Sequence, residues 1–182
     1  MTSTTAVDNP AARQLRDALA DSLVAGGWIT SEHVETAFRV VPRHTFAPPG
    51  GSLEAAYADD VLQTKFDASG TCMSSVSAPW LQAQMIRQAD VQPGMRVLEV
   101  GSGGYNVALL PEITGPGGRV VSIDPDVTAH AAEGLHAAGY SERVEVVTGD
   151  GWCAVDGPGS FDAVIVTAGA WDVAPAWRNS NP

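Results

Sequence analysis

After Pro10, the apolar residues Leu15, Ala18, Leu19 and Leu23 recur at three-to-four spacing, and Gly26-Gly27 closes the run. This spacing predicts an amphipathic helix from Asn9 to Gly26, with proline at a helix-start position. A second helix is predicted from Thr30-Ser31, with Val34, Ala37, Phe38 and Val41 along one side. It should stop at Val41-Pro42, because the residue before a proline disfavours helical backbone. Between Pro48 and Ser77 the chain turns to Gly, Asp, Ser and Thr without sustained periodicity, which predicts loops able to line a site on a scaffold built elsewhere. A short helix follows from about Pro79 to Ala89, with Leu81, Met85 and Ile86 facing inward.

The pattern changes after the turn Gln92-Pro93-Gly94. Strands are predicted at Arg96–Val100, Arg119–Ile123, Val144–Thr148 and Ala163–Thr167, and helices at Tyr105–Leu110 and Val127–Ala138. Strands alternating with helices indicate βαβ units and a parallel sheet. The four strands are short, valine-rich runs, as expected when helices cover both faces. The expectation is one structural domain of α/β class: residues 1–92 supply an N-terminal helical cap and site-lining loops, and residues 93–182 a Rossmann-like core.

Composition narrows the function. With 182 residues, 45% of them hydrophobic, the chain can bury a sizeable core. A formal net charge of −11, with no Lys/Arg cluster, repels phosphate backbones and argues against a nucleic-acid partner. The polar start, Met1 to Pro10, has neither a basic nor an apolar leader segment, and no apolar run approaches the ~20 residues that span a bilayer. The expected location is the cytoplasm, with no membrane partner. Cys72 and Cys153 lack any metal-ligand spacing, so no metal is expected and both are read as buried or idle thiols.

In an open parallel sheet, ligands bind beyond the carboxyl ends of the strands. The residues there are Glu99 to Tyr105 after the first strand, Asp124 after the second, Gly149-Asp150-Gly151 after the third, and Thr167-Ala168-Gly169-Ala170 after the fourth. Gly101, Ser102 and Gly103 let the backbone turn sharply against a ligand, although a plain turn explains such a run equally well. Asp124 lies 23 residues after Gly101, near the ~20-residue spacing of an acid that binds ribose hydroxyls; the competing reading is a helix N-cap. A nicotinamide dinucleotide is disfavoured because Asn106 stands where its fingerprint needs a third glycine. Glu99 would repel a pyrophosphate but attract a sulfonium or ammonium group. The expected cofactor is therefore S-adenosylmethionine, held by Glu99, Gly101, Ser102, Gly103, Asp124, Asp150 and Gly151. Asp150 is placed to reach an adenine amino group, or else is a turn aspartate. Asp162 precedes the fourth strand and reads as a structural turn residue, and Trp152 and Trp171 as ordinary core.

Val41-Pro42-Arg43-His44-Thr45-Phe46, Ala56-Tyr57-Ala58-Asp59, Ser75-Val76-Ser77-Ala78-Pro79, Val97 to Gly101, Gly149-Asp150-Gly151 and Phe161 to Ala168 resemble, in order, segments of protein-L-isoaspartate O-methyltransferases over roughly residues 34–175. The Gly-Ser-Gly-Gly-Tyr-Asn variant and Met73-Ser74-Ser75 look more like a looser relative, a branch beside lanthipeptide genes that methylates aspartate in a precursor peptide. The resemblance implies a class I methyltransferase fold acting on a peptide or protein that bears an aspartyl or isoaspartyl carboxylate. It also implies that Ser77 lies beside the substrate carboxylate as the catalytic residue, with Tyr57, Ser74 and Ser75 walling the same cleft. Ser77 also reads as the N-cap of the helix that Pro79 begins. Arg43 and His44 are further candidate donors to the carboxylate, Arg43 being read equally as a solvated or N-cap-paired arginine.

The sequence departs from the family twice. Its Gly101 to Tyr105 loop is one residue short, and a complete fold of this type carries about three further C-terminal strands. The fourth strand is thus expected to be an open edge, available for self-association or a partner chain. A non-catalytic, truncated methyltransferase acting as an interaction module is the competing functional class.

Overall fold

The computed structural model describes residues 9–101, 104–126, 129–153 and 160–178. Helix α1 (Pro10–Ala25) is capped by Asn9, whose side chain accepts from the Ala12 amide at 2.8 Å. Helix α2 (Glu32–Val40) ends where Pro42 requires, and a 3-10 turn (Arg43–Phe46) follows. Then come a one-turn helix α3 (Leu53–Ala56) and helix α4 (Pro79–Gln88).

The core sheet holds β3 (Arg96–Val100), β4 (Arg119–Asp124), β5 (Glu145–Thr148) and β6 (Ala163–Val166), all parallel, in the order β5-β4-β3-β6. Helices α5 (Tyr105–Thr114) and α6 (Ala129–Ala138) lie in the connections, and α7 (Pro175–Arg178) follows β6. Central β3 is buried almost throughout. One face of the sheet, with Val97, Val120 and Ile165, joins α5 and the N-terminal helices in one core, so the two halves of the sequence share it. The other face, with Leu98, Val100, Val121, Ile123 and Phe161, is covered in part by Trp177 of α7.

Four expectations are corrected. The stretch from Pro48 to Ser77 is not all loop: besides α3 it forms an antiparallel hairpin of β1 (Leu62–Phe66) and β2 (Cys72–Val76). Its turn is built by Asp67, whose Oδ1 accepts from the amides of Ser69 and Thr71, and by Gly70 at φ +85°. The hydroxyl of Ser69 and these amides hold the Asp67 carboxyl below its ordinary range. Edge strand β5 is largely exposed rather than covered, including Val146. Trp152 and Trp171 are not core: Trp171 is fully exposed and Trp152 nearly half so. Of the two alternatives for the cysteines, burial is the one that fails: both are free thiols, Cys72 half-buried and Cys153 exposed. The reading of Asp162 holds: its Oδ2 accepts from the Arg96 amide at 2.7 Å and its own amide donates to Arg96 O, at the end of β3 remote from the ligand end.

Candidate active site

At the carboxyl end of the sheet lies a polar cavity of about 290 Å³. Cys72, Met73, Ser74, Ser75, Val76 and Ser77 from the hairpin line one side; Gly101, Asp124 and Thr167 to Gly169, from the ends of β3, β4 and β6, line another, together with Gln82 and Asn106. The hairpin therefore carries the serine segment across the strand ends. A larger groove of about 650 Å³ runs along β6 between Phe161, Val164, Trp171 and Trp177. It contains none of the strand-end glycines or acids proposed as ligands, so volume does not locate the site here.

Of the residues proposed from sequence, the structure brings Ser74, Ser75, Ser77, Gly101 and Asp124 to one cavity. Ser102 and Gly103 lie outside the described residues. Gly101 has φ +93°, and a Cβ there would stand 2.6 Å from Ala168 Cβ, so only glycine fits where β3 passes the loop after β6. Thr167 fastens that passage, its hydroxyl donating to the Gly101 carbonyl and, at 3.2 Å, to Val100 O. Asp124 ends β4, and its Oδ1 accepts from the Asp126 amide at 2.7 Å. Asp150 is exposed, is not among the residues lining the cavity, and acts as a turn aspartate, accepting from the Trp152 amide at 2.9 Å. Gly151 abuts the sheet: a Cβ there would meet Val100 Cγ1 at 2.4 Å.

Glu99 is set behind the cavity rather than in it. Wholly buried, it accepts from Asn106 Nδ2 at 2.9 Å and Ser122 Oγ at 2.7 Å. Burial pushes its carboxyl up to about 7, against the pull of those two donors. Because the folded value exceeds the unfolded value of roughly 4.3, folding takes up a proton in this window, and stability falls as pH rises toward 7. Between pH 5 and 8 the chain is expected to lose about 3 kcal/mol relative to a Glu99→Gln variant. Urea midpoints of both proteins across that range check this, and parallel pH curves would contradict it.

The motifs expected to bind substrate turn out to brace the cavity from behind. Arg43 is neither solvated nor a substrate ligand. It is fully buried, and its Nη1 donates to Ala56 O at 2.5 Å while Nη2 donates to Asp60 O at 2.9 Å and Ser77 O at 3.1 Å. Burial lowers its pKa, partly offset by the field of Tyr105 and Asp59. His44 Nδ1 and the Tyr57 hydroxyl meet at 2.7 Å, and Tyr57 is buried away from the cavity lining. Ser77 does not cap α4: the N-cap is Ala78, which makes no side-chain cap bond, and Asp59 Oδ1 takes the Trp80 amide at 2.9 Å instead. Phe46 packs flush on Gly104 and Gly134, where an added Cβ would meet its ring at 2.7 and 2.6 Å.

Two polar lining residues, Gln82 and Asn106, escaped the sequence reading. Both are buried, and among the described residues Gln82 Oε1 and Asn106 Oδ1 have no hydrogen-bond partner. Buried unpaired acceptors are uncommon and call for an explanation. Their sequence signal was weak, since a polar residue in a helix normally marks a solvated face.

A parallel sheet whose strand ends form a polar cavity, walled by glycine and an acid, defines the class of Rossmann-like folds that bind a nucleoside-bearing cofactor at the carboxyl ends of the strands. The family model for protein-L-isoaspartate(D-aspartate) O-methyltransferase matches residues 13–180, and the chain belongs to that family. It is 37% identical to the protein-L-isoaspartate O-methyltransferase of Hyperthermus butylicus, with 88% of this chain and 68% of that protein covered. To the one of Methanopyrus kandleri it is 36% identical, with 92% and 73% covered. A solved protein-L-isoaspartate O-methyltransferase superposes with a TM-score of 0.81 at 31% identity, over 92% of this chain and 52% of that one. A Plasmodium falciparum structure of similar description, solved with S-adenosyl-L-homocysteine, gives a TM-score of 0.75 at 18% identity over 92% of this chain and 79% of that one, a likeness of fold alone. The chain thus spans from about half to about four fifths of the length of these relatives.

Proposed function

We propose that the chain is an S-adenosylmethionine-dependent O-methyltransferase acting on a peptide or protein carboxylate, with isoaspartate as the favoured substrate. The observation that carries this is the joining of three serine hydroxyls, Ser74, Ser75 and Ser77, to Gly101 and Asp124 in one cavity. The cofactor fits what is there: Gly101 admits backbone approach, Asp124 offers a carboxylate for ribose hydroxyls, and the unpaired oxygens of Gln82 and Asn106 suit a ligand bearing N–H donors. Ser102, Gly103, Asp150 and Gly151 are proposed to complete its cradle. Bound, the cofactor supplies an activated methyl group.

The chain's own task is alignment. A carboxylate with a pKa near 3.9 is already ionised at neutral pH, so no general base is required of the lining. Ser77, with Ser74 and Ser75 beside it, donates to the substrate carboxylate and holds one oxygen toward the methyl donor, while the hairpin keeps water out. Such positioning can supply up to ~7–11 kcal/mol of rate acceleration. Tyr57 acts from behind this wall through His44.

The test is mass spectrometry of an isoaspartyl peptide and its aspartyl twin, each incubated with labelled cofactor. Labelling of the isoaspartyl peptide alone is expected, and Ser77→Ala should reduce it about 10-fold, the loss of one hydrogen bond to a charged group. Labelling of neither peptide, but of a lanthipeptide-type precursor, would move the function to peptide tailoring. A second reading, an interaction module without turnover, is favoured by the groove beside β6, where Trp171 and Val173 are exposed. A self-associated or partner-bound species that transfers no methyl group would establish it.

A further inference from the structure

The hairpin of β1 and β2 forms one wall of the cavity, and its two halves are fastened differently. At the base the fastening is buried. Leu62 and Val76, paired across the hairpin, are the firmly buried members of the two strands. Beside them, Nη2 of buried Arg43 donates to Asp60 O and Ser77 O, the carbonyls just before β1 and just after β2, so one guanidinium nitrogen grips both stems. The outer half lacks such an anchor: Phe66 and Met73 are each more than half exposed, and the turn closes on itself through Asp67. A two-stranded hairpin without apolar support is marginally stable in water. Here the outer half reaches the core through Lys65, whose ammonium group pairs with the carboxylate of Asp126, just past the end of β4. Lys65 stands opposite Ser74 in the hairpin register. Asp126 gives its main-chain amide to Asp124 Oδ1. The ion pair therefore joins the strand that carries the cavity serines to the segment that carries the acid proposed to hold ribose.

We propose that Lys65 and Asp126 form a latch that positions the serine-bearing strand β2 across the cavity from Asp124, the hairpin swinging about its buried base at Arg43 when the latch opens for ligand exchange. The part played in exchange rests on the cofactor reading above; the latch itself does not. Lys65 is a positioning residue, acting through Ser74 on the strand opposite. Both members of the pair are substantially exposed, and an ion pair in water is weak and is screened by salt. Such a contact suits a wall that must open at every turnover, whereas the buried carbonyl clamp at the base suits a hinge that must not let go. Asp126 serves Asp124 with its main-chain amide, so replacing its carboxylate breaks the latch and leaves that hydrogen bond in place.

The thiol of Cys72, half-buried in β2 and lining the cavity, reports the hairpin's position without any ligand. In the whole chain carrying Cys153→Ser, which removes the exposed second thiol, the rate at which N-ethylmaleimide labels Cys72 is measured. Adding Lys65→Met or Asp126→Asn should speed labelling about two- to fivefold, the worth of an exposed ion pair. Raising the ionic strength from about 0.01 M to about 1 M, which shortens the screening length from ~30 to ~3 Å, should speed the parent by a similar factor and leave both variants unchanged. Lys65→Arg, and the exchanged pair Lys65→Asp with Asp126→Lys, should return the rate to that of the parent. In stopped flow, S-adenosylhomocysteine should leave Lys65→Met and Asp126→Asn about two- to fivefold faster than the parent, and leave Lys65→Arg at the parent's rate. Labelling that neither substitution nor salt alters would overturn the proposal, as would a faster rate that the exchanged pair does not reverse. Labelling that responds while ligand release does not would overturn the role in exchange. A parent protein that binds no S-adenosylhomocysteine would refute the cofactor reading instead, and the labelling rates would still decide the latch.

Discussion

Replacing Arg43 with methionine is expected to destabilise the chain by about 3 kcal/mol, because its buried guanidinium donates to three main-chain carbonyls. Its guanidinium, over the Tyr105 ring at 5.5 Å, ties the 3-10 turn to Ala56, Asp60 and the carbonyl of Ser77. Methionine matches the stem but offers no donor. Arg43→Lys keeps the charge but has no planar fork, so it should recover only part of the loss. Urea unfolding of the three proteins checks the ordering. A methionine variant within 1 kcal/mol of the wild type would show that Arg43 does not brace the serine segment. Because Ser77 is one of the three anchors, the same variant should also misplace the hydroxyls that face the cavity.

Gly101→Ala should have the largest effect on ligand binding. At φ +93° any side chain is strained, and the new Cβ would lie 2.6 Å from Ala168 Cβ and 2.8 Å from the Ala168 amide nitrogen. Backbone on the far side cannot yield as a side-chain tip would, so the ends of β3 and β6 must part. Both residues line the cavity. The expected result is a loss of cofactor affinity of about 100-fold or more, with about 2–4 kcal/mol of stability. Gly139 is the control: φ is +82°, but nothing lies within 4 Å of the added atom. Gly139→Ala should cost about 1 kcal/mol of strain and leave affinity unchanged. Equal effects from the two substitutions would show that positive φ, not the close approach to Ala168, is what matters at Gly101.

How much of this was legible in the sequence follows from what each segment buries. Strands β3, β4 and β6 were readable because a parallel sheet covered by helices selects short valine-rich runs, and their ends located Gly101 and Asp124 without any coordinates. The hairpin was not, since Leu62-Gln-Thr-Lys-Phe and Cys72-Met-Ser-Ser-Val bury firmly only Leu62 and Val76, leaving no alternation to detect. Its turn was the available signal: Asp67-Ala68-Ser69-Gly70 has the composition of a tight turn with a residue at positive φ. Arg43 and Tyr57 were misread for a different reason. Polar residues in a motif look like ligands, and only the fold shows that Arg43 closes on carbonyls and Tyr57 on His44. Glu99 was read as a cofactor ligand from its place at the carboxyl end of β3, but it is buried behind Asn106, and that depends on the packing of α5 against the sheet, which no local pattern encodes.

The central claim, that the cavity among Ser77, Gly101, Asn106 and Asp124 holds S-adenosylmethionine, is tested most directly by titrating the chain in a calorimeter with S-adenosylmethionine and, separately, with a nicotinamide dinucleotide, in wild-type and Asp124→Ala proteins. The account predicts saturable binding of S-adenosylmethionine, little or none of the dinucleotide, and a loss of about 10- to 100-fold in the variant, as expected for one hydrogen bond to a charged group. Tighter binding of the dinucleotide, or an affinity for S-adenosylmethionine that Asp124→Ala leaves unchanged, would contradict it.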